Sequence, residues 1–366
     1  MSDFLVVGGG ITGLMLARAL AEQGADVCLL ERQEPGRAAS WASAGILTPL
    51  YPWRLPIEVL QLAAIAQADY PGLVDSLRDE TGIDPQLDPS GLLYLRSADE
   101  AEALDWSRQT ASDLTSVDAA FLYDQEPEVA PEFNQALWQP QAASIRPPRL
   151  LQALMISAQK KGVRLHSGTP ACALLVAQDQ VLGVQGLQQQ WRAQTTLLCA
   201  GAWCDPLLQP LGLKTSLKPV SGQMLLYQAE PGLLNHMLVL QGRYLIPRQD
   251  GLILAGSTLE YVGFDDRITD DARLSLQTTA GQILPALRHA PVIGHWAGLR
   301  PGSPEGIPWV GPVPGYQNLY MSGGHFRGGL SLAPGTTRLL VDALNGRPSA
   351  IDASIYWPQQ RLQAQG

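Results

Sequence analysis

The feature that most constrains this chain is a glycine-rich turn between a short apolar run and a helix-forming segment near its start. Residues 4–7 (FLVV) predict a buried strand, and residues 8–13 (GGGITG) follow at once. Residues 14–23 have helical periodicity and end before a glycine, and residues 26–30 form a second apolar run. This order within about 30 residues predicts a β-α-β unit and therefore a parallel sheet.

The spacing of the glycines predicts that the turn binds the pyrophosphate of a dinucleotide. Gly8 allows the tight turn, Gly10 lets the backbone approach the phosphates, and Gly13 lets helix and strand pack closely. The helix N-terminus adds free N–H groups and the positive end of its dipole. Glu31 stands about 20 residues further on, where a carboxylate can accept hydrogen bonds from both ribose hydroxyls. A glycine-rich turn without a ligand is the alternative.

The rest of the chain mixes two kinds of pattern. Residues 147–166 read as helix and strand, and residues 318–345 as strand, glycine-rich loop and helix. Between residues 223 and 257, four short strand patterns follow one another without helices, which predicts an antiparallel sheet. Residues 57–80 predict a helix interrupted near Pro71, and a helix over residues 270–288 has Asp270 as its expected N-cap.

These patterns predict a mixed α/β chain in which a Rossmann-like dinucleotide-binding domain is interleaved with an antiparallel-sheet substrate domain. The expected boundaries are residues 1–80, 141–217 and 297–366 for the first domain, and residues 81–140 and 218–296 for the second.

Composition excludes several classes of function. A formal net charge of −9 argues against nucleic acid or an anionic membrane as the main partner. No run of about 18 apolar residues is present, so we expect no membrane span. The 4 cysteines and 5 histidines show no metal-ligand spacing, and we expect no metal. Buried free thiols in a reducing cytoplasm are the expected state of the cysteines.

Two further segments favour a flavin as the dinucleotide. Residues 38–47 (AASWASAGIL) are small and follow Glu31, so they could pass close to a flavin. Residues 323–329 (GGHFRGG) lie between a predicted strand and a predicted helix. Such a loop can present N–H groups to an isoalloxazine edge, and the helix can direct its positive end at the flavin N1–C2=O region. A plain strand-to-helix turn is the alternative.

Together with residues 198–203 (LCAGAW), 219–223 (PVSGQ) and 298–311 (GLRPGSPEGIPWVG), these segments resemble the FAD-dependent D-amino acid oxidase superfamily. The strongest likeness is to its bacterial glycine oxidase branch, of the thiamine-biosynthesis type. The resemblance spans residues 4–345. Many flavoproteins share the glycine turn, whereas the GLRP and GHFRGG blocks are much more specific.

The resemblance implies an enzyme that deaminates glycine or small N-alkyl or D-amino acids oxidatively, by hydride transfer to flavin N5. The products would be an oxo acid, ammonia or an amine, and H₂O₂ formed from O₂. It implies non-covalent FAD, since covalent relatives need a cysteine near the GLRP block and none follows Cys204. It also implies a cytoplasmic homo-oligomer and a role in thiamine thiazole synthesis. A dehydrogenase that passes electrons to a quinone or carrier, and a non-catalytic flavin-binding protein, remain open.

The resemblance assigns roles to individual residues. Arg300 matches the arginine that holds the substrate carboxylate, a task that suits a planar guanidinium. Tyr244 matches a tyrosine that assists at the carboxylate, and Arg327 matches an active-site arginine or fixes its loop by a salt bridge. The residues expected to bind FAD are Gly8, Gly10, Ile11, Thr12, Gly13, Glu31, Arg32, Ser40, Ala44, Gly45, Ile46, Cys172, Ala200, Gly201, Trp203, Gly324, His325, Arg327, Gly328, Gly329 and Leu330.

The chain departs from its relatives at the expected pocket wall. Ile46 and Leu259 stand near positions where relatives carry methionine, and with Tyr244 they predict an apolar wall that favours methyl or ring substituents. Sarcosine and D-proline could then rival glycine. Residues 50–56 (LYPWRLP) are apolar and stiffened by proline, and a lid, a subunit contact and plain core are all open for them.

Overall fold

Two eight-stranded sheets organise the chain in the computed structural model, which describes residues 1–358 and the backbone of residues 363–364. The strands are β1 (Ser2–Val7), β2 (Val27–Leu30), β3 (Leu92–Leu95), β4 (Thr115–Asp118), β5 (Gln135–Gln139), β6 (Arg164–His166), β7 (Ala173–Ala177), β8 (Gln180–Gln185), β9 (Gln190–Leu198), β10 (Leu213–Lys214), β11 (Lys218–Gln228), β12 (Met237–Leu240), β13 (Arg243–Pro247), β14 (Leu252–Gly256), β15 (Val292–Gly302), β16 (Trp309–Pro312), β17 (Leu319–Gly323) and β18 (Gln363–Ala364). The α-helices are α1 (Ile11–Glu22), α2 (Ile57–Thr81), α3 (Glu100–Thr110), α4 (Ala119–Gln125), α5 (Pro147–Lys160), α6 (Cys204–Leu208), α7 (Asp270–Ile283) and α8 (Gly329–Leu344).

The first sheet contains the predicted β-α-β unit. Its order is β16-β17-β9-β1-β2-β6, and the β7-β8 hairpin joins it through β9. Strand β1 lies parallel to both β2 and β9. Both faces of β1 are buried: Val6 packs into the core with α1, α2, α5 and α8, while Leu5 and Val7 pack on the opposite side. This double burial explains why residues 4–7 of β1 are all apolar rather than alternating.

The second sheet has the order β15-β11-β14-β13-β12-β3-β5-β4. Side chains alternate across it, so Leu225 and Leu245 pack toward α7 while Met224 and Tyr244 face the opposite side. The antiparallel pairing predicted for residues 223–257 is confirmed by β11, β14, β13 and β12. One pairing to a strand outside these residues is parallel, that of β12 with β3. β3 comes from a distant part of the chain, so no hairpin constrains its direction.

Two local expectations are corrected. Helix α2 runs through Pro71 without a break, because Pro71 lies on the exposed face and the carbonyl of Gln67, four residues earlier, is left to water. Helix α7 is capped by Thr269 rather than Asp270, with the Thr269 hydroxyl accepting a hydrogen bond from the Ala272 N–H at 3.3 Å. The α7 segment also ends earlier than expected, at Ile283, with a 3₁₀ turn following it.

The domain boundaries predicted from the sequence stay a prediction, and the one at residue 297 falls inside β15. All four cysteines are free thiols. Cys28, Cys199 and Cys204 are buried, whereas Cys172 is exposed, so the expectation of burial is wrong for that residue. Within the described part of the chain, no helix has the length and apolar character to cross a membrane.

Candidate active site

A long cavity of about 600 Å³ is lined by residues of both sheets. Its lining begins at Val7, where β1 ends, and extends to Leu332 in α8. Every residue expected to bind FAD lines it except Gly13 and Gly324. A cavity of this size falls within the range that holds a bound cofactor or a drug-sized ligand.

The glycine turn forms one end of the cavity. Gly8 has a φ of +110°, and a Cβ there would lie 2.4 Å from the carbonyl oxygen of Cys199. A Cβ on Gly13 would lie 1.9 Å from the Gly8 carbonyl oxygen, so Gly13 serves the packing of helix on strand rather than the cavity surface. The Ser40 hydroxyl accepts a hydrogen bond from the Ile11 N–H at 3.0 Å and joins the small-residue segment to the start of α1.

Glu31 is held at this end by the backbone. Its two carboxylate oxygens accept hydrogen bonds from the Gly9 N–H at 2.7 Å and the Gln33 N–H at 2.9 Å. A carboxylate has about four lone-pair sites, so acceptor capacity remains for a ligand. Beside it, the Arg32 guanidinium lies 3.6 Å from the centre of the Trp203 ring, and Phe264 packs on the same ring at 5.4 Å.

Two serine hydroxyls of the wall have no hydrogen-bond partner within the described residues. These are Ser43, in the small-residue segment, and Ser322, near the end of β17, and both line the cavity. Both oxygens are enclosed in the wall, where a hydroxyl without a partner is costly. Neither residue was predicted from the sequence, because no local pattern distinguishes them from other serines.

The GGHFRGG loop joins β17 to α8 along the cavity wall. Helix α8 begins at Gly329 with no side-chain cap, and Gly328, Gly329 and Leu330 line the cavity. The free N–H groups of this 16-residue helix therefore lie at the cavity wall. His325 is fully buried, with Nε2 3.1 Å from the Thr336 hydroxyl, and desolvation lowers its pKa to about 4.

Arg300 extends from β15 into the cavity and is held by β11 and the segment after β14. Its Nη1 donates to the carbonyls of Ser221 and Thr258, both at 3.3 Å, and its Nη2 donates to the Ser257 hydroxyl at 2.8 Å. Burial lowers the pKa of this guanidinium, with the nearby Tyr244 opposing the shift. Arg300 makes no ion pair among the described residues.

Tyr244 and Arg327 also line the cavity. Tyr244 is 6% exposed and its hydroxyl lies 3.4 Å from the Met224 sulfur. Arg327 is exposed, and no ion pair joins it to any described residue, so the salt-bridge reading of its role has no support here. Leu259 is 46% exposed and lies outside the lining, so the expected apolar wall lacks it.

The aromatic segment at residues 50–56 belongs to the core beside the cavity. Tyr51 and Trp53 each pack against Tyr94, with ring centres 5.1 Å apart in both pairs. Leu50 and Leu55 line the cavity itself. Of the three interpretations left open for this segment, the structure favours core.

The comparisons with known proteins agree with this geometry. The model of the FAD dependent oxidoreductase family (DAO) matches residues 3–343. A glycine oxidase of Pseudomonas aeruginosa is 46% identical over 359 residues, covering 98% of this chain and 99% of that protein. A glycine oxidase of Pseudomonas putida is 43% identical over 359 residues, covering 98% of each. The crystal structure of a glycine oxidase from Geobacillus kaustophilus superposes with a TM-score of 0.91 at 26% identity, covering 97% of this chain and 98% of that one.

Proposed function

This chain belongs to the DAO family of FAD-dependent oxidoreductases, and we propose that within it the chain oxidises glycine and other small amines that carry a carboxylate. The main support for the proposal is Arg300, a buried guanidinium without a counter-ion among the described residues. It lines the same cavity as the glycine turn and Glu31, the residues expected to bind a dinucleotide. Glycine oxidases that match nearly the whole chain support this substrate class.

The residues present fit FAD. Gly8, Gly10 and Ile11 of the glycine turn line the cavity, and the Glu31 carboxylate beside them keeps free acceptor capacity. We propose that the turn holds the pyrophosphate, that Glu31 holds the ribose, and that the N-terminus of α8 faces the flavin ring. Bound FAD would supply the oxidation itself, by accepting a hydride from the substrate Cα and passing the electrons to O₂.

Arg300 would hold the substrate carboxylate. Three of the five N–H groups of an arginine are used by Ser221, Thr258 and Ser257, which leaves the Nε–H and one Nη2–H for a ligand. Two charge-assisted hydrogen bonds to one carboxylate fix its orientation as well as its position. We propose that Tyr244 and Arg327 complete this end of the site, since both line the same cavity.

No base is required if the substrate binds with a neutral amine. The lining histidine, His325, is bonded to the Thr336 hydroxyl and stays neutral above pH ~4. The chain would then orient the substrate and exclude water, and the imine product would be hydrolysed to the oxo acid and ammonia.

Met224, Ile46 and Leu50 line the cavity and pack in the same hydrophobic cluster as Tyr244, and we propose that they form the wall of the substrate site. It favours hydrogen, methyl or ring substituents over charged side chains. With the carboxylate fixed and one Cα hydrogen facing the flavin, only one hand of a chiral amino acid presents its hydrogen. We therefore propose glycine, sarcosine, D-alanine and D-proline as substrates, and L-amino acids as non-substrates.

We further propose that the protein works in the cytoplasm as a homo-oligomer and supplies thiamine thiazole synthesis. Four unpaired cysteines support a reducing compartment. The oligomer and the thiamine role are supported by the resemblance to the glycine oxidase branch.

A panel of amines tests the proposal. The purified FAD-bound protein is mixed anaerobically with glycine, sarcosine, D-alanine, D-proline and the L-enantiomers, and flavin absorbance is followed. Parallel reactions in air are assayed for H₂O₂. We expect glycine and the small D- or N-methyl substrates to bleach the flavin and give H₂O₂. Bleaching without H₂O₂ would identify the dehydrogenase instead, and turnover of L-forms alone would overturn the assignment.

A further inference from the structure

We propose that Gly222 is a positioning residue for Arg300, the carboxylate anchor. Because Gly222 has no side chain, the Arg300 guanidinium can occupy the space above it. The inference rests on the proposed function, in which Arg300 binds the substrate carboxylate. It assigns a reason to the glycine of the PVSGQ segment, which lies in the middle of β11.

The paired strands bring the two residues together. β11 and β15 are antiparallel, with Val220 opposite Arg300 and Gly222 opposite Gly298. Residues two apart on a strand share a face, so the Arg300 side chain lies on the same face as Gly222. A Cβ built on Gly222 would lie 2.0 Å from Arg300 Nη1, 2.2 Å from Nη2 and 2.3 Å from Cζ. The guanidinium therefore rests directly on bare backbone.

The backbone of Gly222 gives no other reason for a glycine. Its φ is outside the left-handed region, unlike that of Gly8 or Gly45. The three atoms nearest to a Cβ built on Gly222 all belong to the Arg300 guanidinium. A glycine inside a strand is ordinarily unfavourable, so its presence often marks a site of close approach.

The guanidinium is held from the sides as well as from below. The carbonyls of Ser221 and Thr258 receive Nη1, and the Ser257 hydroxyl receives Nη2. These bonds fix the plane of the group and so fix the direction of its two remaining N–H groups. Displacing the guanidinium by the width of a methyl group would break this set of contacts and misdirect the fork that binds the carboxylate.

An added methyl should move the arginine rather than the sheet. β11 is hydrogen-bonded along its length to β15 and β14, whereas the guanidinium is the far end of a flexible side chain. We therefore expect Gly222→Ala to fold and hold FAD while losing the anchor. A matched control is Gly294→Ala, on β15 opposite Leu226, where the nearest atoms would be 3.1 Å away on Trp296 and 3.3 Å away on Leu226.

The experiment uses the FAD-bound forms of the wild type, Gly222→Ala, Arg300→Ala, the double variant and Gly294→Ala. It measures the Kd of glycolate from the flavin spectrum, kcat and KM for glycine, FAD content and Tm. Gly222→Ala should raise the glycolate Kd and the glycine KM at least tenfold with unchanged FAD content. Gly294→Ala should change the glycolate Kd and the glycine KM by less than threefold. In the Arg300→Ala background, Gly222→Ala should change the Kd by less than twofold, since the atoms it displaces are gone.

The outcomes separate this inference from the proposed function. Wild-type binding by Gly222→Ala, with loss of binding in Arg300→Ala, overturns the inference and leaves the function standing. If Arg300→Ala binds glycolate like the wild type, Arg300 is not the carboxylate anchor, and both the proposed role of Arg300 and this inference are overturned. An undiminished effect of Gly222→Ala in the Arg300→Ala background also overturns the inference. If Gly222→Ala alone fails to fold, recovery of folding in the double variant supports the contact, and failure of both overturns it.

Discussion

Replacing Glu31 by glutamine should lower both the stability of the protein and its affinity for FAD. The two losses can be measured separately. The two carboxylate oxygens of Glu31 accept hydrogen bonds from the Gly9 and Gln33 N–H groups. Glutamine offers one oxygen and turns an NH₂ toward the other donor, which costs about 1–3 kcal/mol. With an unfolding entropy of roughly 2.1 cal/mol/K per residue over this chain, the Tm of the FAD-free protein should fall by about 1–4 °C.

The substitution should have a larger effect on FAD binding than on stability. The same carboxylate is proposed to accept the ribose hydroxyls, and a hydrogen bond to a charged group contributes about 1.5–3 kcal/mol. Losing one such bond predicts a rise in the Kd of FAD of roughly 10- to 150-fold. The Kd is measured by titrating FAD-free protein with FAD and following flavin fluorescence.

Glu34→Gln is the matched control. Glu34 is an exposed carboxylate three residues along the chain, and it forms an ion pair with the exposed Arg37. An exposed pair of this kind contributes about 0–1 kcal/mol, so this variant should bind FAD like the wild type. FAD binding by Glu31→Gln within twofold of the wild type would refute the assignment of Glu31 to the ribose.

Three further predictions concern the cofactor and the cavity wall. Heat or acid should release all FAD from the denatured chain, because no cysteine follows Cys204, and flavin that stays with the polypeptide would contradict this. Phe264→Ala should speed FAD release about 2- to 10-fold, since the contact of Phe264 with the cavity-lining Trp203 contributes about 0.5–1.5 kcal/mol. Val262 lies on the same loop and is 51% exposed, so the control variant Val262→Ala should release FAD at the wild-type rate. The pKa of His325 falls from about 6.5 in the unfolded chain to about 4 on folding, so the stability it contributes is full above pH 6.5 and is lost as the pH falls toward 4. Urea unfolding should show that the free energy of unfolding of the wild type is about 2 kcal/mol lower at pH 5 than at pH 7, and that His325→Gln lacks this difference. Equal differences in both proteins would show that His325 is not the group responsible.

The part of the site that lies close together in the chain could be predicted from the sequence. The glycine turn, the start of α1 and Glu31 form one local unit whose spacing reflects its geometry. The GGHFRGG loop was assigned from its place between a predicted strand and helix, and Arg300 and Tyr244 were assigned through resemblance. The structure brings all three into the same cavity as that unit.

The remaining features depend on contacts between distant segments. Ser43 and Ser322 stand out only because neither hydroxyl has a partner in the folded wall. Gly222 is explained by an arginine on another strand, although a glycine in an otherwise strand-like run could have marked a close approach. Strand β15 contains glycines and a proline that obscure its pattern, yet it forms 11 residues of strand because it pairs with β11 along nearly its whole length.

The way the cavity is assembled has a consequence for biosynthesis. Its wall draws on β1 at one end of the chain and on α8 near the other, and β17 pairs with β9, which in turn pairs with β1. A nascent chain therefore lacks one wall of the flavin site until the residues of α8 have left the ribosome. The complete cavity therefore forms only after α8 has been synthesised, and residues 196–198 of β9 have no strand on the side away from β1 until β17 has been synthesised. FAD can therefore stabilise a newly made chain fully only after the residues of α8 have been synthesised.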